Sequence, residues 1–100
     1  MTRGENPKHE FTLPFTVETV SSIRAIYSQN GKPVFKKETE DFSLDGNVAT
    51  VQLTQEETLK FRAEEIVEIQ LRVLTVDGDS LASDIIQRYA KRLLEDEVLT

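Results

Sequence analysis

The heptapeptide Val67-Glu68-Ile69-Gln70-Leu71-Arg72-Val73 alternates apolar and polar side chains without a break. Successive Cβ atoms of a β-strand point to opposite faces, so this run puts four aliphatic side chains on one face and Glu68, Gln70 and Arg72 on the other. A helix would scatter the same four residues around its circumference. Such a strand needs hydrogen-bonded neighbours at its sides and a second layer over its apolar face.

Shorter segments repeat the pattern. Phe11, Leu13 and Phe15 alternate within residues 9–15, and Pro14, which cannot donate to a ladder, assigns that strand to a sheet edge. Ser22 to Ser28 runs into Gln29-Asn30-Gly31-Lys32, and Asn-Gly between two β-prone runs marks a two-residue turn with positive φ at both central positions. Pro33 to Lys37 is the return strand, and a loop centred on Asn30-Gly31 sets Ile26 opposite Phe35 and Tyr27 opposite Val34. A second hairpin joins Phe42-Ser43-Leu44 to Val48–Leu53 through Asp45-Gly46-Asn47, with Ala49, Val51 and Leu53 on one face. Thr54-Gln55-Glu56-Glu57 fits a capping box that opens one or two helical turns through Lys60, long enough to cross from one sheet to another.

The segment after the Asp77-Gly78-Asp79 turn supports two readings. Leu81, Ile85, Tyr89 and Leu93 recur every four residues, as do Ala82, Ile86, Ala90 and Leu94, which is the stripe of an amphipathic helix. The turn, however, follows directly on the strongest strand and predicts an antiparallel partner for it. Ser80 is followed three residues later by Ser83, so no capping box opens a helix there. The strand reading gives an all-β sandwich; the alternative is an α+β fold with a C-terminal helix at about 81–94. As a strand, residues 85 and 86 point to opposite faces, so one isoleucine packs between the sheets and the other faces out. Ile85 and Ile86 are therefore the candidate interaction residues.

One hundred residues make a single domain, expected as a flexible arm over 1–8 followed by one sandwich over 9–100. With no cysteine there is neither a disulfide nor a thiolate metal site. The net charge of −6 opposes binding to nucleic acid or anionic membrane, and the pairs Lys36-Lys37 and Lys91-Arg92 read as solvated faces. No apolar run approaches the roughly 20 residues of a membrane span. Residues 1–8 lack the apolar stretch of a signal peptide, so cytoplasmic expression is expected.

Candidate chemistry is sparse. His9 is the one histidine and reads as a solvated strand-edge side chain, with no Gly-x-Ser-x-Gly elbow to serve. Asp77-Gly78-Asp79 opens like a calcium loop, but Ala82 and Arg88 stand where such a loop needs glycine and glutamate. Glu64, Glu65, Glu68 and the run Glu95-Asp96-Glu97 read as solvated acids, and the seven aromatic residues fall at strand positions. No catalytic, cofactor-binding or metal-ligating residue is assigned, and no enzymatic activity is expected.

Five segments carry a resemblance: 11–15 (Phe-Thr-Leu-Pro-Phe), 23–32 (Ile-Arg-Ala-Ile-Tyr-Ser-Gln-Asn-Gly-Lys), 51–61 (Val-Gln-Leu-Thr-Gln-Glu-Glu-Thr-Leu-Lys-Phe), 68–73 and 81–84. In this order they resemble small prophage-encoded proteins of Gram-positive bacteria, similar to the N-terminal domain of phage baseplate upper proteins. The resemblance spans about residues 9–98 and implies an immunoglobulin-like two-sheet antiparallel sandwich with a short helical crossover. It implies a strand over 80–92 and a non-enzymatic structural or assembly role in a virion tail or baseplate. The partners it implies are proteins, either further copies of the chain or other virion components, with incorporation into the particle. It carries over no active-site residue. The competing function is a small adaptor or regulatory domain that binds a host protein, with edge-strand pairing as the mode.

Overall fold

A computed structural model describes residues 1–93 and 98. Among the described residues the strands are β1 (Lys8–Thr12), β2 (Val20–Gln29), β3 (Lys32–Lys37), β4 (Phe42–Asp45), β5 (Val48–Gln52), β6 (Ile66–Thr75), β7 (Ser80–Ala82) and β8 (Ile86–Tyr89), with one α-helix, α1 (Gln55–Leu59), between β5 and β6 and single 3-10 turns at Val17–Thr19 and Thr39–Asp41. All strand pairings are antiparallel.

Alternation decides which side chains meet. Val67, Ile69, Leu71 and Val73 of β6 are all buried, and the β2 register sets Tyr27, Ala25 and Ile23 opposite the last three. Facing them across the interior are Phe11 of β1 and Ala49 and Val51 of β5, with Leu13, Leu53 and Phe61 closing the layer. Each fully buried Val, Leu, Ile or Phe side chain contributes roughly 1.5–3 kcal/mol relative to exposure, so this core holds the two layers together. The first sheet runs β1-β5-β4; the second runs β3-β2-β6, with β7 and β8 on the far side of β6. Those orders match strands B-E-D and C′-C-F-G of an immunoglobulin sandwich. The fold is immunoglobulin-like and all-β, with α1 as the crossover between the sheets.

The local signals that set this architecture are sound. Asn30 and Gly31 have φ of 52° and 76°, as a two-residue turn of that type requires. Thr54 accepts the Glu57 amide at 3.1 Å while the Glu57 carboxylate accepts the Thr54 amide at 2.9 Å, which completes the capping box.

Four expectations change. Tyr27 lies opposite Phe35, not Val34, and Ile26 lies opposite Lys36, because the ladder shifts between Tyr27 and Ser28. Val34 is the extra residue of that bulge, and it lets both rings face inward. Residues 1–8 are also not a free arm. The Arg3 guanidinium donates to the carbonyls of Leu59 and Phe61, which the end of α1 leaves without helical partners. Buried Thr58 accepts the Gly4 amide at 2.9 Å and donates to the Glu5 carbonyl at 2.7 Å. Lys37 is not a solvated charge: it is buried, with Nζ 2.8 and 2.9 Å from the two Glu57 carboxylate oxygens.

The fourth change concerns the segment after β6, which is strand rather than helix among the described residues but is broken. β7 pairs with Arg72–Leu74, β8 pairs with Ile66–Ile69, and the edge carries one residue more than β6 between the two stretches. The long unbroken hairpin expected with residues 67–76 is thus two short ones. Leu94 and the run Glu95-Asp96-Glu97 lie outside the described residues.

Candidate interaction surface

Ser83 holds the break in the edge together. Its amide donates to the Leu71 carbonyl at 2.9 Å, and its hydroxyl accepts the Leu71 amide at 2.9 Å. Its carbonyl accepts Nε2 of Gln70 at 3.0 Å. The side chain takes the place a backbone carbonyl would occupy in a regular ladder, so the buried donor of Leu71 stays satisfied across the bulge.

One consequence is the separation of the two candidate isoleucines. Ile86 lies opposite buried Ile69, is half-buried and packs against the core. Ile85 stands in the break, 55% exposed, beside Glu68 and Gln70 on the outer face. The structure brings neither into a polar site. Ile85 belongs instead to a set of exposed large hydrophobics, with Ile66, Leu74, Val76, Leu81 and Tyr89, on β6 and the chain that follows it. Beside this edge, between β1 and β7–β8, runs a groove of about 460 Å³ lined by Phe11, Leu13, Phe15, Leu71, Leu81 and Ile86 among others. It opens where the two sheets have no common strand.

His9, on β1, differs from its sequence reading. It is half-buried, its ring stacks on Tyr27 at 5.7 Å between centroids, and Nδ1 lies 2.7 Å from the Tyr27 hydroxyl. Burial holds the His9 pKa below its ordinary 6.5, helped by the Arg88 charge and the N-terminal ammonium. Neutral Nδ1 can accept the phenol proton. Burial, with the Glu57 charge behind it, pushes the Tyr27 hydroxyl well above its ordinary pKa, so it remains a donor. Tyr27 also stacks on Phe35 at 4.8 Å and meets Phe61 at 6.2 Å. This is a core aromatic with one polar end satisfied. No short-range pattern marks it, because residues 9 and 27 come together only when the two sheets close.

The Glu57 carboxylate sits below its ordinary pKa. Burial opposes this, and the Lys37 ammonium and the Thr54 amide and hydroxyl outweigh it. Among the described residues no group of three or more His, Cys, Asp or Glu is placed to hold a metal ion, and no helix is long and apolar enough to cross a membrane.

No family model matches the chain. No curated protein matches it either. Among solved structures it is similar to the V domain of amphioxus IgVJ-C2, at 12% identity and a TM-score of 0.40, over 91% of this chain and 97% of that one. The fold assignment stands on the strand orders and register described above.

Proposed function

We propose that this chain is a non-enzymatic structural or assembly module of a phage or prophage particle, a tail or baseplate component that acts through protein–protein contacts. The observation that carries the contact role is the apolar edge. Six exposed large hydrophobic side chains gather on β6–β8 and the turn between them, next to unpaired strand backbone. Tyr89 lies opposite Ile66 on one face, and exposed apolar side chains grouped in this way mark an interaction surface. The polar side chains that are buried point the same way. His9 with Tyr27 joins the two sheets, and Lys37 with Glu57 and Gln29 with the Arg62 backbone tie the second sheet to α1 and the loop after it.

The particle role rests on the sequence resemblance. It is tested by inducing the prophage, purifying particles and measuring copies of this chain per particle by quantitative mass spectrometry. A fixed stoichiometry of several copies, matched to a ring symmetry, supports the structural reading. Absence from particles, with recovery on a host protein, establishes the adaptor reading in its place.

A further inference from the structure

We infer that the β7–β8 edge pairs antiparallel with the same edge of a second copy of this chain, across a twofold axis at Ile86. This deepens the protein-contact reading and does not depend on the particle role.

Among the described residues the two sheets leave four free edges, on β1, β4, β3 and β7–β8. Two carry residues that oppose strand addition. β3 bears exposed Lys32, Pro33 and Lys36, and β1 bears exposed Lys8 and runs on to Pro14. Lysine and proline are usual means of keeping an edge from pairing. β4 and the β7–β8 edge carry neither, and of these two it is the β7–β8 edge that exposes large hydrophobic side chains, Leu81, Ile85 and Tyr89.

The backbone fixes which residues offer hydrogen bonds. Ala90 donates to the Glu65 carbonyl and accepts from the Glu64 amide, so its polar groups face inward along the line of β6. Alternation then turns the groups of Arg88 and Ile86 inward and those of Tyr89, Gln87 and Ile85 outward. Tyr89 agrees, since its carbonyl accepts the N-terminal ammonium at 2.9 Å. Lys91 donates to the Met1 carbonyl and accepts from the Arg3 amide, in a parallel bridge of Thr2 with Lys91. The N-terminal segment therefore closes the ladder from Tyr89 on, and the stretch without a strand beside it is centred on Ile85–Gln87, where the Gln87 carbonyl accepts Nη1 of its own chain's Arg88 at 2.8 Å and keeps a second lone pair for a strand partner.

Charge selects the register. With the axis at Ile86, Ile85 exchanges two backbone bonds with Gln87 of the second copy, and each Asp84 falls opposite the other copy's Arg88. Two opposite-charge pairs form and no like charges meet. Moving the axis to Gln87 sets Asp84 against Ala90 and Arg88 against Ile86, so that neither charge faces its opposite across the seam. At the axis each half-buried Ile86 covers its twin. The contact is isologous, so assembly stops at two copies.

The test is sedimentation velocity over a concentration series with charge swaps. Wild type is expected to dimerise, Asp84→Arg and Arg88→Asp each to raise Kd by roughly tenfold or more through like-charge apposition, and the double swap to return Kd to within a few-fold of wild type. Thermal melts verify that each variant is folded. Hydrogen exchange on wild type needs no variant: the Ile85 and Gln87 amides should slow at high concentration relative to low. A chain that stays monomeric at millimolar concentration overturns the inference. A dimer indifferent to the single swaps, or not rescued by the double swap, overturns the register, as does concentration-independent exchange at Ile85 and Gln87.

Discussion

The hydroxyl of Ser83, rather than its carbonyl, accepts the amide proton of Leu71. A side chain thereby completes a backbone ladder at the one place where the edge strand is broken. Ser83→Ala should leave a buried amide without an acceptor and destabilise the domain by about 1–3 kcal/mol, while Ser83→Thr keeps the acceptor and should cost less. Urea denaturation of the two variants checks this. Equal stability of Ser83→Ala and wild type would mean that water reaches the Leu71 amide.

The Asn30-Gly31 turn isolates a backbone cost from a packing cost. A Cβ on Gly31 would meet nothing within 4 Å, yet φ there is +76°. Gly31→Val should therefore destabilise by about 1 kcal/mol or more through conformation alone, since a β-branched residue avoids the left-handed region. Gly31→Asn, which tolerates that region better, should recover part of the loss. The same urea series measures both.

Ile85 and Ile86 should respond oppositely although they are adjacent. Ile86→Ala removes contacts with the core and should cost roughly 1–3 kcal/mol, a partly buried fraction of the usual core range. Ile85→Ala, at an exposed site, should stay within about 0.5 kcal/mol in dilute solution. A reversed order in thermal melts would show that the outward and inward faces of the edge have been exchanged.

Acid should weaken the fold in two steps. The folded pKa of His9 lies below its ordinary 6.5, so the unfolded chain binds more protons between the two values. Stability is then full above pH 6.5 and falls as pH drops through that window. Glu57, held below its ordinary 4.5, adds stability that is full above pH 4.5 and is lost as pH falls through its folded pKa. His9→Gln should flatten the Tm profile just below pH 6.5 without changing the lower step, and Glu57→Gln should flatten the lower step alone. A profile that rises toward acid would reverse the sign of both arguments.

How much of this was legible in the sequence follows the range of each interaction. Period-two alternation put Val67, Ile69, Leu71 and Val73 in the core because strand geometry acts within a few residues. The Thr54–Glu57 cap and the Asn30-Gly31 turn were readable for the same reason. The hairpin register was not. Turn chemistry fixes Gln29 opposite Lys32, but the bulge at Val34 is imposed from across the interior, where Tyr27 and Phe35 must both reach Phe61. His9, Lys37 and the N-terminal segment were misjudged together, as solvated or loose, because their partners Tyr27, Glu57 and Thr58 lie 18, 20 and more than 50 residues away. The candidate pair Ile85 and Ile86 was reached by alternation, but not the Ser83 bond that separates them.

The edge strand carries one pattern and adopts another conformation. Leu81, Ile85, Tyr89 and Leu93 form a helical stripe, yet the native chain there is two short strands. Before β6 is in place nothing local holds this segment extended, and its own preference points toward a nascent helix that must unwind to dock. It should therefore be the last part of the domain to settle, and β6 should wait with one flank bare while it does. That makes the apolar edge a kinetic hazard as well as a contact surface: the interval before β7 and β8 close is when a neighbouring chain can capture β6, and slower unwinding lengthens it.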